Sequence, residues 1–300
     1  MIDLPALPCY LNGEFTTLPN AKISVMDRGF IFGDGVYEVV PVYQGVPFRF
    51  EQHMARLSKS LAELRIPEPQ TVTQWRDVVA KLVRAFGNLG SSSSGNQLIY
   101  IQVTRGVAMR DHVMPEHITP TVFAMVNTMN SPSVAVRAQG VACVTADDFR
   151  WKKAHIKTTS LLGAVFARQI SFDAGAVETV MFRDGMLSEA AASNVWVVKN
   201  GRLIGPPNDN LVLEGIRYGL FAELCQQINI SFEIRPIRQE EVWASDELLL
   251  SSATKEVVAI TTLDGKAVGA ASHQGQPGPV GQRLYAAYQA AKQGAVAAMG

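Results

Sequence analysis

Apolar residues change their period several times along this chain, and each change marks an element. Cys9–Thr16 carries Asn12-Gly13, the strongest short hairpin signal. Val36–Tyr43 is a β-branched and aromatic run, followed by Gln44-Gly45 as a turn and a second short run, Pro47–Phe50. The period then becomes helical: Met54, Leu57, Leu61 and Leu64 share one face, and Val72, Trp75, Val78, Val79, Leu82, Val83 and Phe86 predict a second amphipathic helix. Gly87–Asn96 (GNLGSSSSGN) is low in complexity and reads as a flexible loop. Leu98–Thr104 and Thr121–Asn127 read as buried strands.

Met129–Ser133, polar with Ser-Pro inside it, reads as a linker or as an ordinary loop. Beyond it the two periods mix again. Leu161–Phe172, Ile216–Ile228 and Val280–Ala291 predict helices. Thr179–Phe182, Val195–Lys199 and Leu203 form a strand series, broken by the turns Asp184-Gly185 and Asn200-Gly201. Glu247–Ser252 and Val257–Leu263 are further strands. Strands outnumber the crossover helices that a parallel sheet requires, so the class is α+β. Residues 1–128 are expected to form an N-terminal α+β domain, 129–134 a linker, and 135–300 a β-rich α+β domain.

Lys plus Arg equals Asp plus Glu, 27 each, and this balance argues against a partner as anionic as nucleic acid. Cys9, Cys143 and Cys225 are odd in number and widely spaced, which indicates neither a disulfide framework nor a metal site. No stretch is long and apolar enough to span a membrane, and MIDLPALPCYLNGEF lacks the pattern of a signal peptide. A cytoplasmic location is the expectation.

Several residues could carry chemistry, and each also has a plain reading. Lys157, in WKKAHIKTTSLLGAVFARQ, stands between an apparent strand and a helix. A lysine there forms a Schiff base if its amine loses a proton, and is otherwise a solvated charge. Glu189, in MLSEAAASNVWVV, is a carboxylate at a strand junction that could hold a protonated pyridine nitrogen, or a surface loop residue. LEGIRYG, 213–219, opens a helix whose free amides suit a phosphate, or simply caps it with Gly215. SSAT, 251–254, offers hydroxyls and amides at a strand end. Arg56 faces away from the apolar stripe of its helix, which normally means solvent. Arg110 and His112 follow a strand in VTRGVAMRDHVMP and could clamp a carboxylate, or belong to a charged loop.

Taken together, VMDRGFIFGDGVYEVVPVYQG, HMARL, RDH, HIKTTSLLG, SEAAASN, LEGI and SSATKE, in that order and spacing, resemble the fold-type IV aminotransferases that use pyridoxal 5′-phosphate. The match covers nearly the whole chain. GDGVYEVVPVY with RDH is most similar to the branch that acts on D-amino acids. The resemblance implies a two-domain fold with the cofactor in the interdomain cleft, and transamination between a D-amino acid such as D-alanine and a 2-oxo acid such as 2-oxoglutarate or pyruvate. It makes Lys157 the Schiff-base lysine and proton shuttle, Glu189 the partner of the ring nitrogen, and Arg56 a phosphate ligand. Ile216 and Arg217 supply helix-start amides to the phosphate, and Thr254 or its neighbour Ala253 supplies a strand-end contact. Ser193, Asn194 and Leu213 complete the expected cofactor contacts. Tyr37, Arg110 and His112 form the trap for the substrate carboxylate, with Arg110 and His112 reaching in from the other subunit of a homodimer.

Two departures stand out. Arg217 occupies the position where the family commonly has Thr, and Ala191 and Ala192 replace part of a serine run, leaving Ser193. Other activities of the same fold are a branched-chain L-aminotransferase, an (R)-amine transaminase and an aminodeoxychorismate lyase. A catalytically silent cofactor-binding protein would have lost Lys157 or Glu189, and both are present.

Overall fold

Asn12 and Gly13 both take positive φ, 47° and 103°, as a two-residue hairpin needs to keep the twist of its strands. Across them β1 (Pro8–Leu11) pairs with β2 (Glu14–Thr17). The computed structural model describes residues 4–90 and 95–298; residues 91–94, within the expected Gly87–Asn96 loop, lie outside the described residues. The chain divides into two compact units. The first is 1–130 with Ile156–Leu161 and 295–300, and the second is Ser131–His155 with Leu162–Gly294.

The first unit continues with α1 (Arg28–Phe32), β3 (Gly35–Tyr43), β4 (Val46–Pro47), α2 (Phe50–Glu63), α3 (Val72–Gly87), β5 (Gln97–Thr104) and β6 (Thr121–Thr128). Its six-stranded sheet has the order β2-β1-β6-β5-β3-β4 and every pairing is antiparallel. The apolar stripes of α2 and α3 cover one face, with Met54, Leu57, Leu61, Trp75, Val79, Leu82 and Phe86 packed in one cluster with Val40, Ile99, Ile101 and Ala124. Thr71 starts α3 with a capping box closed by Gln74. Strand alternation sends Val36, Glu38 and Val40 inward and leaves Tyr37 half-buried on the opposite face, stacked on Tyr100 at 5.8 Å.

The second unit holds α4 (Val134–Gln139), β7 (Val141–Asp147), α5 (Leu162–Asp173), β8 (Glu178–Arg183), β9 (Met186–Ala190), β10 (Asn194–Lys199) and β11 (Arg202–Gly205). It goes on with α6 (Arg217–Gln227), β12 (Phe232–Ile234), α7 (Gln239–Trp243), β13 (Glu247–Ser252), β14 (Glu256–Leu263), β15 (Lys266–Ala267) and α8 (Pro279–Ala297). The sheet order is β12-β11-β10-β13-β14-β7-β8-β9, with β15 on β14. The pairs β11–β12, β14–β7 and β7–β8 are parallel and the rest antiparallel. Asp184-Gly185 and Asn200-Gly201 turn the hairpins with the same positive φ pair as Asn12-Gly13. An antiparallel sheet and a mixed one, each with flanking helices, give the α+β class expected.

Some local expectations need correction. Pro47–Phe50 does not continue as a strand, because Phe50 already begins α2. The expected linker overlaps a helix start: Ser133 caps α4, its hydroxyl accepting from the Val136 amide. Ile156–Leu161 belongs to the first unit although it follows residue 135 in the chain, because it is laid along β3. Helix α5 inverts the usual pattern: its buried residues are the small Ala167 and Ser171, while Leu162, Val165, Phe166 and Phe172 are 59–70% exposed.

Candidate active site

Lys157 is fixed through its backbone before its side chain does anything. The Tyr37 amide donates to its carbonyl at 3.0 Å, Thr158 forms a bridge with Val36, and the Thr159 amide donates to the Gly35 carbonyl at 2.9 Å. The Lys157 amide donates to Ser60 Oγ on α2 at 3.3 Å. This approach needs glycine at 33, where φ is 66° and an added Cβ would meet Ser160 Oγ at 2.7 Å. The outcome is Lys157 Nζ at 4.1 Å from the centre of the Tyr37 ring. The structure therefore brings together two of the expected residues, an amine and a phenol on one strand face.

Arg56 is not turned to solvent. Its Nε and Nη2 donate to the two oxygens of Glu38 at 2.7 and 2.9 Å, and its side chain is largely covered. Glu38 also contacts His53 Nδ1 at 2.7 Å. Burial alone would push this carboxyl up, but Arg56 and His53 hold it far below the usual carboxylate range. Glu38 is the next residue to Tyr37, so one strand presents the phenol on one face and orients the Arg56 guanidinium from the other.

Arg110 and His112 are exposed and stand together, both against Phe32 of α1. Among the described residues, no hydrogen bond or ring contact joins either of them to Tyr37 or Lys157 within the chain.

In the second unit Glu189 lies on β9 and is almost fully buried. Its Oε1 accepts from Arg150 Nη1 at 2.5 Å and from the Leu213 amide at 3.3 Å, and Oε2 accepts from Asn194 Nδ2 at 3.1 Å. Burial pushes the Glu189 carboxyl up, against the pull of Arg150. Burial also works against the charge on Arg150, but Asp148 and Glu189 raise its pKa above the ordinary arginine value. Asn194 Nδ2 reaches the Leu213 carbonyl at 2.9 Å as well, and Gly215 lies so close that a Cβ there would meet Asn194 Oδ1 at 2.1 Å. The Gly215 of LEGI thus serves close approach; Ile216 is the residue that caps α6.

Arg217, the first residue of α6, is 2% exposed. Its Nη2 donates to Tyr288 Oη at 2.7 Å and to the Ala253 carbonyl at 3.3 Å, and its buried Nε has no partner among the described residues. Among the described residues no carboxylate lies within ion-pairing distance of this guanidinium, and no protein group accepts from the amides of Ile216, Arg217, Ala253 or Thr254. An unpaired buried cation is costly and open amides at a helix start favour an anion. Thr254 Oγ1 lies 3.4 Å from Ser252 Oγ on the same turn. Ser193 donates to the buried Glu178 at 2.8 Å, and Lys255 donates to the same oxygen at 2.8 Å. These residues fit pyridoxal phosphate: a buried carboxylate for a protonated ring nitrogen and an anion cradle for the phosphate.

Arg150, Asp148, Glu178, Glu38 and Tyr288 escaped the sequence reading. Only Glu38 carried a signal, as a charged residue in the inward register of an otherwise apolar strand.

Fold and site together define a class, the fold-type IV aminotransferases, and the expected resemblance is borne out. The chain belongs to the amino-transferase class IV family, whose model matches residues 35–263. Class IV aminotransferases use pyridoxal 5′-phosphate. Within the family the chain is similar to the D-alanine aminotransferase of Bacillus licheniformis, 34% identical over 278 residues that cover 93% of this chain and 94% of that one. It is also similar to the D-alanine aminotransferase of Staphylococcus haemolyticus, 33% identical over 92% and 94% of the two chains. Among solved structures, a branched-chain aminotransferase from Thermoproteus uzoniensis with norvaline superimposes with a TM-score of 0.83 at 22% identity, covering 95% of this chain and 94% of that one. At that identity the likeness is one of fold.

Proposed function

We propose that this chain transfers the amino group of a D-amino acid resembling D-alanine to a 2-oxo acid such as 2-oxoglutarate or pyruvate, as a homodimer in the cytoplasm. The observation that carries the reading is the fixed pair Lys157 and Tyr37, in a chain similar over nine-tenths of its length to D-alanine aminotransferases. Bound pyridoxal phosphate supplies an electron sink for the bond broken at the substrate α-carbon.

In the first unit, Lys157 Nζ would hold the cofactor, and the amine, once displaced by the substrate's amino group, would take the proton from the α-carbon. Its backbone bonds to Tyr37 and Ser60 hold the segment that keeps Nζ beside the Tyr37 ring, and an amine fixed there would move the proton from one side only. Tyr37 binds the substrate carboxylate and Arg56 the phosphate. In the second unit, Glu189 accepts from the protonated ring nitrogen, Asn194 and Leu213 hold that carboxylate, and Ile216, Arg217, Ala253 and Thr254 serve the phosphate. Ser193 orders the turn after Glu189 through its bond to Glu178. Arg110 and His112 take the substrate carboxylate of the partner subunit. Supporting the homodimer, α5 presents Leu162, Val165 and Phe166 along one exposed stripe, apolar surface that a lone soluble chain rarely keeps. Three free, buried cysteines accord with a reducing compartment.

Holding the carboxylate on one side decides chirality, because the D-enantiomer then turns its α-hydrogen to Lys157 and the L-enantiomer does not. Kinetics with D- and L-alanine and 2-oxoglutarate test this. The D-enantiomer should dominate, and Arg110→Met should weaken its binding by roughly 1.5–3 kcal/mol, the scale of a hydrogen bond to a charged group. A preference for L-alanine, or for branched-chain L-amino acids, would sink the D-specific assignment and leave the cofactor assignment standing.

A further inference from the structure

We propose that Phe32 and Arg28, on the short helix α1, are positioning residues for the carboxylate-binding loop Arg110-Asp111-His112. The proposal rests on the reading of Arg110 and His112 given above and adds what holds them. Both side chains are exposed, and an exposed arginine ordinarily samples many rotamers. Here the Arg110 guanidinium lies 5.5 Å from the centre of the Phe32 ring, and the His112 ring lies 5.5 Å from it at a tilt of 41°. One aromatic platform thus carries both members of the pair.

Beneath it the backbone is held too. Arg28 Nη1 donates to the Asp111 carbonyl, between the two, at 2.6 Å, while the same guanidinium packs 4.7 Å from the Phe32 ring. Arg28 is buried and is itself oriented by Asp34, which accepts from Arg28 Nε at 2.7 Å and from Arg105 at 2.8 and 3.0 Å. Arg105 in turn donates to the Leu64 and Arg65 carbonyls at 2.7 and 3.2 Å. A continuous chain of charge-assisted bonds therefore runs from the end of α2 through Asp34 to the loop. Asp27, whose side chain caps α1, forms a bridge with Val107, so helix and loop are joined at both ends. Within the stretch RGFIFGD, the arginine, the second phenylalanine and the aspartate thereby fix a loop some eighty residues away.

Cation–π and ring contacts at exposed sites are each worth a few-fold in affinity. Phe32→Leu should raise KM for D-alanine and for 2-oxoglutarate by roughly three- to tenfold, and kcat should stay within about twofold. Phe32→Trp, which restores an aromatic face, should return KM towards the parent value, separating a lost platform from a lost fold. In an Arg110→Met/His112→Ala background the same Phe32→Leu change should alter KM by less than about twofold, since Phe32 acts only through those two residues. The proposal is overturned if Phe32→Leu leaves KM unchanged while Arg110→Met raises it, or if Phe32→Leu costs the same factor in the double-variant background. Indifference of KM to Arg110→Met itself overturns the underlying carboxylate reading instead.

Discussion

Arg150→Met is the most informative single change in the second unit. The guanidinium is shared: Nη1 goes to Glu189 at 2.5 Å, and Nε and Nη2 go to Asp148, each at 2.9 Å. Asp148 keeps a second cation, since Arg183 Nη2 lies 3.2 Å from it. Glu189 keeps none among the described residues, so the loss concentrates there. The side chains of the pair are only 11% and 6% exposed, so water screens little of the attraction. Opposite charges about 4 Å apart attract by roughly 4 kcal/mol at an effective dielectric near 20. Removing one partner of a buried pair costs about 3–5 kcal/mol. Uptake of a proton by Glu189, already pushed upward by burial, limits the penalty. We therefore expect cofactor-free Arg150→Met to lose about 3–5 kcal/mol at pH 7, or ~6–20 °C in Tm at roughly 2–4 °C per kcal/mol. The assay is a double-mutant cycle with Glu189→Gln, read by urea and thermal unfolding. In the Glu189→Gln background, Arg150→Met should cost at least about 2 kcal/mol less. Equal costs in the two backgrounds would refute the argument that Arg150 stabilises the fold through its ion pair with Glu189.

Lys157→Ala should abolish steady turnover, and borohydride treatment of the parent should fix the cofactor to the peptide containing Lys157; attachment at another lysine would move the anchor. Arg217→Met keeps the α6 amides but removes the unpaired cation. Calorimetric titration of the cofactor-free protein with inorganic phosphate should show about 1.5–3 kcal/mol of lost affinity, tenfold or more; an unchanged isotherm would assign the phosphate to the amides alone. Glu38 is held below its unfolded pKa of about 4.3, so its contribution is full above that value and drains away as pH falls through the window beneath it. Tm should drop steeply below about pH 4.5. Glu38→Gln should lower Tm at pH 7 while flattening that acid slope, and a slope as steep as the parent's would shift the acid sensitivity to Asp34, Asp148 and Glu256, whose carboxyls are lowered too.

What was legible in the sequence was what neighbours in the chain decide. Asn12-Gly13, Asp184-Gly185 and Asn200-Gly201 dictate their own turns, because two consecutive positive φ values need only local chemistry. The stripes of α2 and α3 follow from burial against a sheet, and the register of β3 follows from its alternation. α1 and α7, five residues each, are too short to show a period. The helix at 162–173 could be read from its apolar residues, but not the face they occupy, because outward apolar residues look inward to any periodicity argument. The candidate site divides in the same way. Motif positions such as Lys157 and Glu189 stood out, whereas their supports did not: Arg150 meets Glu189 across 39 residues and Arg217 meets Tyr288 across 71. Such pairs are created by folding and leave no local trace.

The return of Ile156–Leu161 to the first unit fixes an order of events during translation. The first 130 residues include all six strands of that sheet, so a nascent chain of that length already holds its ladder partners. It still lacks Ile156, a member of the core cluster, and it leaves the Tyr37 amide and the Gly35 carbonyl without the bonds they make to Lys157 and Thr159. The unit is completed only after β7 and the segment beyond it have left the ribosome. A fragment ending at the apparent boundary near residue 130 is thus an unfinished product, prone to aggregate at the open flank of β3, rather than a separable module. Nor do the two units correspond to two halves of the chain: a break near residue 130 parts Lys157 from the strand that holds it, and a break after Leu161 parts β7 from β14 and β8.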